Sequence, residues 1–269
     1  MAIAALNSAA TGLRALSTQI DVIANNLSNA ETTAFKGSRV NFQDLMYQTL
    51  KQPGAQNEAG DVAPSGIFVG LGTEIANTQL DLTQGSPDQT NNPTDVAIQG
   101  TGFFRVKVLS TLGDGTAYTR NGNLTTNNNG ELVVGSGDGY RLDPNITLPK
   151  GTTGITIAMD GTINATIAGK VAPAKVGQLQ LTTFINPQGL TALGGGLYQE
   201  TDSSGPPITG TPGQNGTGQI LGGYLEESNV DPVKELVQLI KTQRSFELNS
   251  QSIQTADQAL QTIANLKRS

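Results

Sequence analysis

The chain has 269 residues, enough for two or three domains with a substantial core. It contains no Cys, His or Trp, which excludes disulfide bonds, zinc-finger-like sites and any catalysis by His or Cys. The formal net charge is −6, and no basic cluster could neutralise a run of phosphates, so we expect no binding to nucleic acid.

The N-terminal residues carry no recognisable secretory signal. Residues 1–10 are mildly apolar but lack a positively charged start and a continuous apolar segment. No stretch reaches the roughly 18 apolar residues of a membrane-spanning helix. We therefore expect no membrane span, and any export should use a route other than the general secretory one.

The first predicted element is a helix from Ala2 to Asn29. Its apolar residues have an average spacing of about 3.5 residues, which keeps one stripe turned towards a partner helix over several turns. Asn and Ser side chains near residue 29 compete for backbone hydrogen bonds and end the helix. This stripe, the N-terminal seam, consists of Leu6, Leu13, Leu16, Ile20, Ile23 and Leu27.

The next segment is predicted to form a short helix and then an extended arm. The helix rests on the amphipathic spacing of Phe42, Leu45, Met46 and Leu50. Residues 52–66 are polar and rich in Gly and Pro, which predicts a long loop or arm, and a loop of this length usually has a function. The residues that define the arm are Tyr47, Gln52, Pro53, Gly54, Pro64 and Gly66.

Residues from about 67 to 224 are predicted to form an antiparallel β body. Phe104, Val106 and Val108 alternate with polar residues, which is typical of a half-buried strand. Tight turns are indicated by pairs that tolerate positive φ, namely Asn121-Gly122, Asn129-Gly130, Asp114-Gly115 and Asp160-Gly161.

A second long helix is predicted after the β body. Asp231 can cap its start, and Pro232 suits the first helical position, where a missing N–H costs nothing. Its apolar stripe also recurs every seven residues. This C-terminal seam consists of Leu239, Phe246, Ile253, Leu260 and Ile263.

The two seams leave two arrangements open. The terminal helices could pack on each other within one subunit, or they could find their partners in other copies of the chain. If the two helices packed only on each other through their seams, the opposite side of each helix would still have no assigned partner. Because both ends carry a seam, we favour a subunit that polymerises through its ends.

Chemistry is less strongly indicated than assembly. Most Asp residues of the β body lie beside Gly, Pro or Asn, as turn residues do, and no calcium loop of the common kind occurs. We predict no catalytic residue, no metal site and no cofactor. A secreted β-rich carbohydrate-active enzyme with two carboxylates is the alternative from a different class. Its candidate carboxylates are Asp81, Asp88, Asp95, Asp114, Asp138, Asp143 and Asp160.

Several segments of the chain resemble the bacterial flagellar rod and hook family. They are DVIANNLSNA at 21–30, TAFK at 33–36, TDVAIQGTGFF at 94–104, YTRNG at 118–122, ESNV at 227–230 and QRSFE at 243–247. The resemblance extends over essentially the whole chain. Within the family, YQT at 47–49, QPGAQ at 52–56 and PSG at 64–66 are similar to a segment that marks distal rod members and is absent from hook members.

The resemblance implies a tubular axial structure with an inner layer of terminal helices and β domains outside. It implies a stiff hollow drive shaft, the periplasm-spanning rod of the flagellar basal body, that transmits motor torque to the hook and lets exported subunits pass. The implied partners are further copies in a helical homo-oligomer, proximal rod proteins, the hook protein, the basal-body ring proteins and the flagellar type III export apparatus. A proximal rod or hook subunit remains the alternative within the family.

These expectations combine into one predicted architecture. The fold class is α+β, with coiled-coil-like terminal helices that bracket an antiparallel β-rich body with an extended arm. Residues 1–33 and 229–269 should form a discontinuous helical assembly domain, residues 34–70 the short helix and arm, and residues 71–228 the outer β domain.

Overall fold

The computed structural model describes residues 2–54, 64–109, 115–135, 137–170, 172–214 and 216–266. The chain divides into two compact units. Unit 1 comprises Met1–Ser28, Ser38–Leu80 and Asp231–Ser269, and unit 2 comprises Asn29–Gly37 and Asp81–Val230. The fold is α+β, because long helices form both ends of the chain and antiparallel strands form the rest.

Unit 1 contains both long helices and four strands. The helices are α1, Ala2–Ser28, and α2, Pro232–Leu266. Strand β1, Ser38–Asp44, pairs antiparallel with β4, Thr73–Leu80, and this ribbon contacts α1. Strand β2, Tyr47–Lys51, pairs antiparallel with β3, Ile67–Gly70. None of the helices in the described part of the chain is long and apolar enough to cross a bilayer.

Unit 2 is built from antiparallel strands. Its largest sheet has seven strands in the order β16-β17-β8-β7-β11-β10-β9, and β12-β13-β14 form a three-stranded sheet. Three two-stranded pairs, β15-β18, β19-β6 and β20-β5, complete it. The strands are β5 Pro87–Gln89, β6 Val96–Gln99, β7 Phe104–Lys107, β8 Thr116–Thr119, β9 Leu124–Thr126, β10 Leu132–Val134, β11 Arg141–Leu142, β12 Thr152–Ile157, β13 Thr162–Ile167, β14 Ala174–Gln178, β15 Leu181–Thr183, β16 Thr191–Gly194, β17 Leu197–Gln199, β18 Ile208–Gly210, β19 Gln219–Gly222 and β20 Tyr224–Glu226, with a 3-10 turn at Pro187–Gly189.

The core of unit 2 follows the predicted alternation. Phe104 and Val106 on β7 are buried, whereas Arg105 and Lys107 are partly or fully exposed. Val96 and Ile98 on β6 join the same apolar cluster. Gly122 serves a different purpose from the other turn glycines, because a Cβ there would lie 1.6 Å from the carbonyl oxygen of Val96. The backbone of Val96 lies so close to Gly122 that no side chain fits at position 122.

The short helix predicted from Phe42, Leu45, Met46 and Leu50 is wrong. Phe42 lies in β1 opposite Ile75 of β4, and Leu50 lies in β2. Helical spacing over so short a segment does not outweigh pairing with strands that follow later in the chain. The predicted arm starts and ends in the paired strands β2 and β3, and residues 55–63 in its middle lie outside the described residues.

The start of α2 agrees with the predicted cap. The Asp231 Oδ1 atom accepts hydrogen bonds from the backbone N–H of Val233 at 3.0 Å and of Lys234 at 3.2 Å. The Lys234 ammonium lies 3.2 Å from the other carboxylate oxygen. These contacts, chiefly the backbone N–H of Lys234, hold the pKa of Asp231 below its usual value because they favour the carboxylate.

The first turn of α2 is therefore expected to loosen in acid. A depressed pKa means that the cap contributes fully above the unfolded pKa of about 3.9 and is lost as the pH falls through the folded value. Amide exchange of Val233 and Lys234 should accelerate between about pH 5 and pH 2. Asp231→Asn still caps but cannot titrate, so its exchange should change less. Equal acceleration in both proteins would contradict this role of the carboxylate.

Candidate assembly surfaces and a buried charge cluster

The two terminal helices pack against each other in antiparallel directions within unit 1. Near one end, the Asn26 side chain of α1 lies beside the Glu235 side chain of α2. Further along, a Cβ at Gly12 would lie 3.3 Å from the Asn249 amide nitrogen. The end of α1 therefore lies beside the start of α2, and earlier residues of α1 lie beside later residues of α2, so the two helices are antiparallel. The absent side chain of Gly12 lets the helices approach closely.

The seam residues occupy the more buried positions of both helices. In the N-terminal seam Ile23 is buried, and the other members are half-buried: Leu6, Leu13, Leu16, Ile20 and Leu27. In the C-terminal seam the half-buried members are Leu239, Phe246, Ile253 and Leu260, whereas the side chain of Ile263 lies outside the described residues. By helical geometry the C-terminal seam shares its face of α2 with Thr242 and Asn249, which indicates that this face turns towards α1. An assembly role for either seam stays a prediction.

A second apolar face lies on the outer side of α2. Four large aliphatic side chains occur within its first three turns, and 45% or more of each is exposed: Val233 70%, Leu236 45%, Val237 49% and Ile240 56%. Leu248 continues this face further along the helix. At about 100° per residue, Val233, Val237 and Ile240 lie roughly opposite Thr242 and Asn249, whereas Leu236 lies only about 60° from Leu239 of the C-terminal seam. We name Val233, Leu236, Val237 and Ile240 the outward face.

The β2-β3 hairpin is also unusually apolar for an exposed element. The flanks of the predicted arm, Gln52 to Gly54 and Pro64 to Gly66, join its two strands. Gly66 is required there, because a Cβ would lie 2.5 Å from the carbonyl oxygen of Lys51. The exposed large hydrophobic residues in or beside the hairpin are Met46, Tyr47, Leu50, Ile67 and Phe68. We name these five residues the hairpin patch.

Unit 2 contains a buried cluster of three charged side chains. The Glu226 carboxylate accepts from Lys36 Nζ at 2.6 Å and from Arg120 Nε at 2.8 Å. The side chains of Lys36, Glu226 and Arg120 are only 0%, 1% and 4% exposed. Two cations and one carboxylate leave this cluster with one excess positive charge. Burial lowers the pKa of Lys36, and Glu226 opposes that shift.

Backbone groups satisfy the remaining polar atoms of this cluster. Lys36 Nζ donates to the carbonyl of Thr83 at 2.7 Å, and the N–H of Gly85 donates to Glu226 at 3.0 Å. The Arg120 guanidinium donates to the carbonyls of Gly102 at 3.2 Å and Gly100 at 3.0 Å. The cluster therefore joins chain segments far apart in sequence, since Lys36 and Glu226 are 190 positions apart.

The charge cluster brings together motifs that were separate in the sequence. Lys36 ends the TAFK segment and Arg120 lies within YTRNG, whereas Glu226 immediately precedes ESNV. Sequence reasoning missed Glu226. The sequence evidence for a buried Glu226 was weak, because an acidic residue at the end of a strand is usually solvated. Only the position of Glu226 beside a family motif could have indicated a buried role.

Aromatic residues pack beside the cluster. Phe103 contacts Tyr198 edge to face with 5.8 Å between ring centroids, and Tyr118 contacts Phe184 in the same way at 4.8 Å. The Arg120 guanidinium lies 5.9 Å from the centroid of Phe103. Burial raises the pKa of Tyr198 to about 12. This part of unit 2 is a packed core, and its tyrosines are neutral at physiological pH.

Most of the described candidate carboxylates bind nearby residues of the chain. Asp95 accepts from Thr90 at 2.7 Å, Asp160 accepts from Thr162 at 2.8 Å, and Asp143 pairs with Arg105 at 2.9 Å. Asp114 lies outside the described residues. No group of three or more Asp or Glu residues that could hold a metal occurs in the described ranges. Asp95 and Asp160 accept hydrogen bonds from residues of their own loops and thereby stabilise the conformation of those loops.

Three family profiles match the chain. "Flagella basal body rod protein" matches residues 6–36, "Flagellar hook protein FlgE/F/G D1 domain" matches 97–165, and "Flagellar basal body rod FlgEFG protein C-terminal" matches 221–266. Lys36, Arg120 and Glu226 each fall within a different one of these matches.

Curated relatives match over nearly the whole chain. The flagellar basal-body rod protein FlgG of Buchnera aphidicola subsp. Acyrthosiphon pisum is 46% identical over 95% of this chain and 96% of its own length. FlgG of Borreliella burgdorferi is 44% identical, with 98% of each chain covered. FlgG of Caulobacter vibrioides is 42% identical over 98% of this chain and 99% of its own length.

Proposed function

Since the chain belongs to the FlgG family of flagellar basal-body rod proteins, we propose that it polymerises through unit 1 into a stiff hollow shaft. One observation carries this proposal. Of the 15 exposed large hydrophobic side chains among the described residues, 11 belong to unit 1. Large apolar side chains concentrated on one unit are typical of a surface that other protein covers.

The shaft would consist of coiled-coil-like packing between terminal helices, with the β-rich unit outside. It would transmit motor torque to the hook across the periplasm and let exported subunits pass along its axis. The contacts would be with further copies of the chain, proximal rod proteins, the hook protein and basal-body ring proteins, after delivery by the type III export apparatus. Such a subunit does mechanical work and needs no catalytic residue.

Electron microscopy of the purified protein tests this function directly. Under conditions that favour association, the full chain should form straight tubes of uniform diameter. A protein that stays monomeric or forms only closed dimers at every concentration would contradict polymerisation of the isolated subunit.

The arm is proposed to stiffen these tubes by bracing neighbouring subunits. A shaft must resist bending, and Pro53 and Pro64 limit the backbone freedom of the arm, so it can lie across a neighbour with little ordering cost. Deleting residues 52–64 should therefore leave tubes that form through the helices but are curved or flexible. A Gly-Ser replacement of the same length is the matched control for loop length, and it should also bend.

Tube curvature in electron micrographs measures this effect. Straight tubes from the deletion variant would remove the arm from the mechanism. Bent tubes from the deletion but straight tubes from the Gly-Ser chain would mean that arm length matters and the prolines do not.

A further inference from the structure

Three segments at the borders of unit 2 are hydrogen-bonded to one another. Unit 2 consists of Asn29–Gly37 and Asp81–Val230, so the chain leaves it after Gly37, returns at Asp81 and leaves it again after Val230. The Asp81 N–H donates to the carbonyl of Gly37 at 2.8 Å. A force that reaches unit 2 along the chain at any of these three places therefore acts first on a segment that is bound to its neighbours.

The first and the last of these segments lie side by side in the same direction. The Ala34 N–H donates to the carbonyl of Glu226 at 2.8 Å, and further along both segments the Asn229 N–H donates to the carbonyl of Phe35 at 3.3 Å. Ala34 is buried and has a φ of 56°, a left-handed conformation that residues other than glycine rarely adopt. Its surroundings therefore hold this segment in a conformation that it would not keep alone.

One side chain, that of Asn229, connects all three segments. Asn229 Oδ1 accepts from the Gly37 N–H at 2.9 Å. Asn229 Nδ2 donates to the carbonyls of Asp81 at 2.8 Å and Thr83 at 3.2 Å. An amide side chain carries both an acceptor and a donor with two hydrogens, which a bridge among three backbone segments requires. Gly37 is buried, so water cannot readily replace the acceptor of its N–H.

The charge cluster connects the same segments a few residues away. Lys36 Nζ donates to the Glu226 carboxylate at 2.6 Å and to the carbonyl of Thr83 at 2.7 Å. The same carboxylate accepts from the Gly85 N–H at 3.0 Å. We name these three connected segments the clamp: residues 34–37, 81–85 and 226–230.

Segments that are bound to one another share an applied force. A force on a segment without such bonds would break its contacts with the unit one after another. A force on one segment of the clamp acts on the bonds to the other two at the same time, so more bonds have to break before the unit opens. Forced unfolding is governed by the unfolding rate, which falls when the first step of opening requires several bonds to break together.

We propose that the clamp keeps unit 2 folded when force enters it through its border segments, and that Asn229 is the positioning residue that holds the three segments together. This inference rests on the proposed function, because a shaft that transmits torque applies force to its subunits. It assigns a role to the TAFK and ESNV motifs, which contribute Lys36 and Asn229.

Pulling on single molecules in two directions tests the clamp. The natural chain has no Cys, so molecular handles attach to introduced thiols alone. In the first direction the handles are on Arg39→Cys and Met159→Cys, and the force passes through Gly37. In the second they are on Lys107→Cys and Met159→Cys, between which no clamp segment lies in the sequence. All three handle positions are exposed.

Asn229→Ala should raise the unfolding rate of unit 2 at a fixed force by about tenfold in the first direction and by less than about threefold in the second. The first direction acts on the lost hydrogen bonds directly. Asn186→Ala is the matched control, because the Asn186 side chain also donates to a backbone carbonyl, that of Ser203 at 3.0 Å, outside the clamp. It should not distinguish the two directions. If Asn229→Ala does not fold, Asn229→Asp replaces it with the same expectation, since it has no N–H for Asp81.

The other outcomes overturn defined parts of the argument. An equal rise in both directions would mean that Asn229 stabilises unit 2 in general, and it would overturn the clamp. Unchanged rates in both directions would overturn it as well. Because single chains are pulled, this result is separate from tube formation. Absence of tubes would contradict the proposed polymerisation, whereas equal rates would contradict the clamp.

Amide exchange of the full chain gives an independent measurement. In Asn229→Ala the amides of Gly37 and Asp81 should exchange about tenfold faster or more, because both donate within the bonds around this side chain. The amide of Val106, in the apolar core of unit 2, should keep its rate. Acceleration of Val106 by the same factor would indicate a general loss of stability and would contradict the clamp. Unchanged exchange at Gly37 and Asp81 would show that Asn229 does not hold the segments together.

Discussion

Replacing Glu226 by alanine is expected to lower the free energy of unfolding of unit 2 by about 3 to 5 kcal/mol. The carboxylate accepts from two buried cations and from the N–H of Gly85. Its removal leaves Lys36 and Arg120 as two uncompensated positive charges in an apolar interior. Glu227→Ala changes the neighbouring exposed residue and is the matched control, which should unfold almost as the natural protein does.

Urea denaturation followed by near-ultraviolet circular dichroism of tyrosine measures this loss. Tyr118 and Tyr198 pack beside the cluster and report the state of unit 2. Lys36→Met should cost less than Glu226→Ala, because it leaves the neutral pair of Glu226 and Arg120 intact. An unfolding midpoint of Glu226→Ala equal to that of Glu227→Ala would contradict the buried cluster.

The cost should come from unpaired charge and not from lost volume. Replacing all three members together by Met, Met and Leu removes every buried charge and keeps apolar bulk. Buried ion pairs often exchange for hydrophobic residues with little loss, so this triple variant should recover most of the stability lost in Glu226→Ala. A triple variant less stable than the single one would mean that the cluster contributes net attraction.

Placing a charge at Ile23 is expected to have the second large effect. Ile23 is 4% exposed, the most buried member of the N-terminal seam. Ile23→Asp puts a carboxylate where no cation is near in sequence, and this should destabilise unit 1 by several kcal/mol, about 3 or more, unless the group takes up a proton. The expected result is a lower thermal midpoint for the helical far-ultraviolet signal, since both long helices belong to unit 1.

A control on the adjacent position separates burial from charge. Ala24 is exposed on the same turn of α1, so Ala24→Asp adds the same charge at nearly the same distance from the helix end. We expect only a small change in its midpoint. The tyrosine signal of unit 2 should change little in both variants. If the two aspartates lowered the helical midpoint equally, Ile23 would not be packed as described.

Features governed by nearby residues could be predicted from the sequence. The helix predicted from Ala2 to Asn29 is observed as Ala2–Ser28, because capping and propensity act within a turn or two. Asp231 caps α2 as predicted, for the same reason. The alternation at Phe104 and Val106 placed a strand correctly, since burial on one face of a sheet repeats every second residue.

Features that depend on distant pairing could not be predicted in this way. Phe42 has helical spacing with its neighbours, yet its pairing with Ile75 makes it part of a strand. The apolar residues that recur every seven positions identified two helices whose apolar faces pack against another helix. They left open whether the two faces pack on each other within one chain. The structure places α1 against α2 and thereby leaves the outward face of α2 as the uncovered surface.

The sequence by itself determined the family, the two terminal helices, the β body and the absence of His and Cys chemistry. Only the tertiary structure decided that Lys36, Arg120 and Glu226 share one buried site and which apolar residues remain exposed. The physical reason is the distance along the chain between the residues that interact. Backbone capping and periodicity are set by residues a few positions apart, whereas burial and ion pairing depend on segments that fold together from up to 190 residues away.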